Sequence, residues 1–423
     1  MARFSALAMS LVSIAACSFR TNPAARDAAP RDVVPIDLPI DVMLDSPPAM
    51  ACTSSSATCL DANTLETCTG PSAQPVVTIC TWGCLAAGTD HCGALAPSGG
   101  AVTTGDLSAS GVGAVTLAGN IIDTDNGTIL GVSSGFTQTV RNNVQVFRFA
   151  SLTVDGPITF TGTNAVAFVA SDAIVVNSTI DARGPCLISR QTAGPGGFDG
   201  GDGDTTGAGT GGGGTSSGKN DGGGGGGYGA GGGTGGNSGG AGGIGYGNAT
   251  ITSLVGGSGG GGGHNSGHVG GGGGGAIQLV SNTSFVFNAG GINAGGCGGH
   301  STAGDGNGGG GGGGAGGAIL LEAPTVRVSG ALAVNGGAGG GNNTDGGDGS
   351  LDRTPASNAD GGGTGGAGGT PGGAPGASGG GGGGGTGRLR INTRSGQATV
   401  TGTLSPSFTD PGTTSTQGTA TIN

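Results

Sequence analysis

The sequence predicts an all-β protein: a three-faced parallel β-helix, or solenoid, with long polyglycine insertions, preceded by a small disulfide-rich module. Three observations predict it. Short apolar-x-apolar pieces recur in threes, in one stretch at an offset of 22 residues. Their order survives where glycine runs push them apart. Six cysteines crowd into one block ahead of them.

The chain begins "MARFSALAMSLVSIAAC", with Arg3 before an apolar run that ends at Cys17. The run is too short to span a membrane and reads as a secretory signal, residues 1–16. Ile14-Ala15-Ala16-Cys17 resembles the bacterial lipobox, in which the cysteine becomes the lipidated first residue. Ser18 follows, not the Asp that retains such lipoproteins at the inner membrane, so the resemblance implies a lipid-anchored protein of the bacterial outer membrane. Residues 17–51 are the anchor and a tether rich in Pro and Asp. Extended at ~3.1 Å per residue, this spacer reaches on the order of 100 Å.

Residues 52–95 hold Cys52, Cys59, Cys68, Cys80, Cys84 and Cys92. In an exported chain this spacing reads as a disulfide framework, which a module too small for a real core needs. The sequence does not choose among the pairings. A zinc site built from Cys80, Cys84, His91 and Cys92 is the rival, weakened by the lack of paired Cys-x2-Cys knuckles.

Residues 100–423 carry the repeat. At the 22-residue offset, Val144 and Val146 return as Val166 and Phe168, Leu152 and Val154 as Ile174 and Val176, Ile158 and Phe160 as Ile180 and Ala182. A weaker copy one period earlier is Leu130-x-Val132 with Phe136. Period-2 spacing turns both apolar residues of a piece to one face of a strand. Between the second and third pieces stand Asp155-Gly156, Asn177-Ser178, Asn288-Ala289, Ser329-Gly330 and Thr401-Gly402, small polar residues suited to a sharp corner. Later copies keep the grammar: Ile277-x-Leu279, Phe285-x-Phe287 and Ile292-x-Ala294; Ile319-x-Leu321, Val326-x-Val328 and Leu332-x-Val334; Leu389-x-Ile391, Ala398-x-Val400 and Leu404. The extra residues, about 187–275, 296–316 and 336–386, are the glycine runs, all leaving the corner after a third strand. Insertions mapping to one face are expected of a solenoid. Hairpins in a β-sandwich are the rival, for example at Asp155-Gly156-Pro157, but the third pieces then lack partners.

Gly supplies 109 of 423 residues and charged residues only 9%. Two readings of the runs stand side by side: flexible loops, or polyproline-II-like strands packed where only glycine fits. Net charge is −11, with no basic patch for phosphates, so nucleic acid is not an expected partner.

Taken together, the lipobox, the tether, the six-Cys block and units such as "VFRFASLTVDGPITFTGTNAVAFVASDAIVVNSTIDARG" and "GGGGGGAGGAILLEAPTVRVSGALAVNGG" resemble the glycine-rich (PGRS-like) outer-membrane lipoproteins of the myxobacterial type. That resemblance implies no activity and no site residues.

Catalytic chemistry has few candidates. Lyases and glycosidases on β-helices need paired carboxylates or a base with a metal site. Asp172, Asp181, Arg183 and Glu322 are the nearest to that; Asp181 and Arg183, two apart on a strand, read as an outward ion pair. His264, His268 and His300 sit in glycine runs without the helix or the Glu of a metalloprotease motif. "GGFDGGDGD" (196–204) and "DGGDGSLD" (345–352) echo the calcium nonapeptide, but each occurs once. The expected cofactor set is empty, with weak calcium binding as the alternative. Cys186 and Cys297 each follow a third strand of consecutive coils, and stacked strands about 4.8 Å apart suit a disulfide between them. The reading is a lipid-anchored surface protein presenting a rigid solenoid in a structural, adhesive or matrix role, without catalysis. Its partners are the membrane, through the lipid, and an extracellular polysaccharide or cell-surface component. A carbohydrate-active enzyme or glycan-binding protein on the same scaffold is the alternative.

Overall fold

The computed structural model describes residues 51–423 except 216–217, 265–267, 302–308, 342, 368–369 and 376–378. The signal peptide, Cys17 and nearly all of the tether lie outside the described residues.

The six-cysteine block forms two small antiparallel sheets: β1 (Ser56–Asp61), β2 (Thr64–Cys68) and β3 (Val76–Ile79), then β4 (Cys84–Leu85) and β5 (His91–Cys92). Its cysteines pair as Cys52–Cys68, Cys59–Cys84 and Cys80–Cys92, so no thiolate is left for the rival zinc site. The block packs on the strands of the repeat region: Trp82 is buried and its indole N–H donates to Asn282 Oδ1 at 2.8 Å. Next come β6 (Ala114–Leu117), β7 (Ile121–Asp123), β8 (Thr128–Ile129) and β9 (Phe136–Arg141).

Five three-strand units follow. They are β10 (Val144–Phe149), β11 (Ser151–Val154) and β12 (Ile158–Thr161); β13 (Ala165–Ala170), β14 (Ile174–Val176) and β15 (Thr179–Asp181); β16 (Ala276–Ser281), β17 (Ser284–Phe287) and β18 (Gly291–Asn293). Then come β19 (Ala318–Glu322), β20 (Thr325–Val328) and β21 (Ala331–Ala333); β22 (Arg388–Thr393), β23 (Thr399–Val400) and β24 (Thr403–Ser405). A last strand, β25 (Ser415–Thr419), lies beside β22.

Each unit adds one strand to each of three sheets, in the orders β25-β22-β19-β16-β13-β10-β9, β23-β20-β17-β14-β11-β6 and β24-β21-β18-β15-β12-β7-β8. Neighbouring units pair in parallel; only β9 on β10 and β8 on β7 are antiparallel. One core gathers the facing side chains of all three sheets, including Phe168, Val176, Ile180, Phe285, Val328 and Leu332. At the corner between the second and third sheets the small polar residues form a ladder: Asn288 Nδ2 donates to Asn177 Oδ1 at 2.8 Å, and Asn177 Nδ2 to Asp155 Oδ1 at 2.6 Å.

Two expected alignments are corrected. Phe147, not Val146, lies opposite Phe168, so the first strands of the first two full units repeat after 21 residues while the second and third strands keep 22. One added residue between first and second strand, in Ser171-Asp172-Ala173, absorbs the difference. Because side chains alternate, the slip reverses the faces. Phe147 and Phe149 enter the core between the sheets, and Val144 and Val146 enter a second one. That second core lies on the outer side of the first sheet, where Trp82, Leu95, Val102, Tyr228 and Leu254 cover it. Nor are Leu130, Val132 and Phe136 an earlier repeat. Val115, Leu117 and Ile122 occupy that layer, and the intervening residues turn back as β8 and β9 to cap the open strand edges. Phe136 of the cap sits 5.9 Å from the Phe147 ring, which sits 5.8 Å from Phe168.

The glycine runs, where described, form an ordered array. Around residues 309–317 the hydrogen bonds rotate with a rhythm of three. Gly310, Gly313 and Gly316 donate to residues 379, 382 and 385; Gly311, Gly314 and Gly317 to 300, 297 and 294; Gly312 and Ala315 to 261 and 258. Carbonyls of the same segment accept from three more segments, at 223–226, 271–274 and 337–340. A three-residue screw with a neighbour on every side is polyproline-II-like packing. Glycine is obligatory there: a methyl built on Gly312 would fall on the Gly224 carbonyl oxygen, and one on Gly384 on that of Gly314. Of the two readings of these runs, ordered packing is the one observed.

Candidate functional site

The residues singled out by sequence converge most at the point where the longest insertion leaves β15. Ser189 N donates to Pro185 O and closes a tight turn. Asp181, at the end of β15, anchors its near side: Oδ1 accepts the Arg183 backbone N–H at 3.1 Å and Nε at 3.0 Å, and Oδ2 accepts Nη2 at 2.8 Å. These bonds hold the Arg183 guanidinium above its ordinary range despite burial, and Asp348 adds to the effect. Cys186 is bonded to Cys297 with Cα atoms 5.2 Å apart, which ties the turn to the glycine array.

Arg190 anchors the far side. Its Nε lies 3.2 Å from Asp345 Oδ2 and its Nη1 3.2 Å from Asp348 Oδ1. Asp348 Oδ1 also accepts Gly298 N at 2.9 Å, while Asp345 Oδ1 accepts Ser301 N at 3.0 Å and faces His300 Nδ1. Within the 345–352 motif, Asp345 and Asp348 thus clamp an arginine and a histidine. In the 196–204 motif, Asp199 Oδ1 accepts Ala193 N, Asp202 Oδ1 accepts Gly203 N and Asp204 Oδ1 faces His264 Nδ1 at 3.1 Å. Among the described residues no three His, Cys, Asp or Glu side chains gather in a way that could hold a metal ion.

Between these anchors Leu187 and Ile188 project into solvent, 92% and 91% exposed. Hollows of about 380 and 410 Å³ flank them. The first is the more apolar, walled by Ile121, Phe160, Leu187 and Ile188 and bordered by the Asp181–Arg183 pair. Such a cleft offers an apolar wall with a charged rim. Its carboxylates are each held by an arginine or by arginine and histidine together, so they cross-link the walls of the cleft.

Asp172, Glu322, His264 and His268 line neither hollow. Asp172 accepts the Thr283 hydroxyl at 2.9 Å. Glu322 is buried on the outer side of the first sheet, where its carboxylate accepts Ser98 N at 3.1 Å, Gln278 Nε2 at 2.7 Å and Asn392 Nδ2 at 2.9 Å. His268 is buried in the array. The residue that sequence reasoning missed is Arg190; its one signal was being the first basic residue after Cys186.

Four disulfides mark a chain that folds in an oxidising, exported setting. Among the described residues no helix is long and apolar enough to cross a membrane. No family model, curated protein or solved structure matches this chain.

Proposed function

We propose that the three sheets are the faces of a parallel β-helix, and that the chain is an outer-membrane lipoprotein held through Cys17 that presents this solenoid at the surface. Its role is structural, adhesive or matrix-binding, without catalysis. The observation that carries the reading is the glycine array. It spends chain length on rigidity, bracing three successive insertions against one another. A rigid, acidic, disulfide-stapled solenoid suits display outside the cell.

Palmitate-analogue labelling tests the anchor: the wild-type chain takes the label, and Cys17→Ala loses it and leaves the membrane fraction. Labelled Cys17→Ala protein overturns the anchor. The apolar wall beside Asp181 and Arg183 favours a second reading, glycan binding, since sugar rings stack on apolar walls and present hydroxyls to charged rims. A glycan array run with a hydrolysis screen separates the two. Retention without turnover supports binding, and turnover overturns the non-catalytic reading.

A further inference from the structure

The polar cluster around Glu322 lies away from the cleft, under an apolar cover. β19 and β22 stand in register with Glu322 opposite Asn392. Ile319, Leu321, Leu389 and Ile391 face the core between the sheets, so Glu322, Arg390 and Asn392 turn to the outer side. Gln278, between Ile277 and Leu279 on β16, turns the same way. Segment 95–102, whose Leu95 and Val102 belong to the outer core, lays Ser98 over these residues. Gly99 permits the close approach: its φ is +77°, and a Cβ there would fall 2.8 Å from Gln278 Oε1. Glu322 is 0% exposed and Asn392 4%. Burying a carboxylate and two amides here costs free energy that apolar residues would not.

The contacts within the cluster are those of an acyl transfer. Asn392 Nδ2 donates to Ser98 Oγ at 3.2 Å, which sets a hydroxyl beside an amide carbon. The same Nδ2 donates to Glu322 Oε1 at 2.9 Å, and Arg390 Nε donates to Asn392 Oδ1 at 2.6 Å. Ser98 N donates to both Glu322 oxygens at 3.1 Å, and Gln278 Nε2 to Glu322 Oε2 at 2.7 Å, which fixes hydroxyl and carboxylate together. A nucleophile thus meets an amide whose nitrogen faces a carboxylate and whose oxygen faces a cation. Gln278, the second amide of the cluster, lacks that cation: its Oε1 is buried without a hydrogen-bond partner.

We propose that Ser98 and Asn392 join as a side-chain ester, a covalent cross-link that the folded chain makes within itself. Ser98 Oγ adds to Asn392 Cγ, and the negative charge gathering on Oδ1 is held by the Arg390 guanidinium. The hydroxyl proton passes to Nδ2 with Glu322 Oε1 as the relay. The Cγ–Nδ2 bond then breaks, its electron pair stays on nitrogen, and ammonia leaves. One hydroxyl and one amide give one ester and one ammonia, so neither oxidant nor cofactor is needed. The bond spans 294 residues and fastens the segment ahead of β6 to the last three-strand unit, a tie that reducing agents do not open.

The test is peptide mapping of the full mature chain by mass spectrometry after reduction and digestion. The expected product is one linked pair joining Ser98 to Asn392, lighter than its two peptides together by about 17 Da, the mass of one ammonia. Alkaline hydroxylamine, which opens esters and leaves ordinary amides, separates the pair into its halves. Ser98→Ala and Asn392→Ala lose the pair, and Ser98→Thr, which keeps a hydroxyl, retains it. Glu322→Gln, close in size but unable to carry the proton, loses it as well. Separate, unmodified Ser98 and Asn392 peptides from the folded wild-type chain overturn the proposal, and that readout needs no variant to fold. A pair that survives in Ser98→Ala overturns it too, and one that forms undiminished in Glu322→Gln overturns the relay.

Discussion

Asp106 shows how a single charge is made useful in a chain with so few. It is 4% exposed, and burial by itself would raise its pKa. Hydrogen bonds from Arg141 and from Thr103, whose N–H and hydroxyl lie 2.8 and 2.9 Å from Oδ2, reverse that and leave the carboxyl below its ordinary range. The pair pins the turn before β6 to the cap strand β9. A carboxyl depressed in the folded state stabilises fully above its unfolded pKa of about 3.9, and that stability is lost as pH falls through the lower folded value. Asp106→Asn is expected to cost about 1–3 kcal/mol at pH 7, as for hydrogen bonds to charged groups. The deficit relative to wild type shrinks as pH falls below about 3.9, where the unfolded chain takes up the proton first, and is gone below the lower folded value. Denaturant midpoints of both proteins at neutral and acid pH check this, and a deficit that does not change with pH assigns the loss to packing instead. The buried faces offer a second residue-scale check. Val176→Asp, with its side chain in the core between the sheets, is expected to cost several kcal/mol in the same unfolding experiment, and Thr153→Asp on a solvent-facing row little. Equal losses would contradict the assigned faces.

Strands of the second and third sheets could be read from the sequence because one face of each strand meets core and the other meets solvent or a thin cover. Leu152-x-Val154 and Ile174-x-Val176 alternate cleanly, and their register is the expected one. The first sheet hides its register because both faces are buried. β13 reads AVAFVA and β16 AIQLVS without a polar beat, so Val144 and Phe147 look equally fit for the inner face. β25 was invisible for the opposite reason, since "STQGT" carries no apolar signal and is a strand only because β22 offers an edge. In the glycine runs composition could not decide between loop and lattice, because both need residues without side chains. The two states differ in the sign of one substitution. In a flexible loop Gly→Ala stabilises by about 0.4–1 kcal/mol through the unfolded chain. In the array Gly312→Ala forces a methyl onto a carbonyl and is expected to destabilise by about 1–3 kcal/mol, as overpacking does. Gly70, with nothing near its added Cβ, supplies the control: Gly70→Ala is neutral or stabilising. Denaturant midpoints decide it, and a stabilised Gly312→Ala protein would contradict an ordered array.

Stacked repeats ordinarily touch only their neighbours, so long ones lose cooperativity and fray from the ends. The glycine array changes that connectivity. Gly382 and Gly385, just before β22, donate to Gly223 and Gly226 in the insertion that follows β15, and Gly233 and Gly236 return bonds to Gly383 and Gly380. These bonds skip the insertion between, the one that separates β18 from β19. The Cys186–Cys297 bond pins the base of the same long insertion, and Trp82, the only tryptophan, fastens the cysteine block to Asn282 beside β16. Units that would otherwise melt in sequence are thereby coupled sideways, and the chain from residue 51 onward is expected to unfold in one transition. Trp82 fluorescence reports the seam between block and sheet, and far-UV circular dichroism reports the strands. Amide exchange at Gly313 and Gly316 reports the centre of the array. Coincident midpoints for the first two, with exchange at those glycines as slow as at Val166 and Phe168 of β13, are the expected outcome. Glycine amides that exchange at loop rates while β13 stays protected would show the array to be a loose cover over a stack that holds itself together.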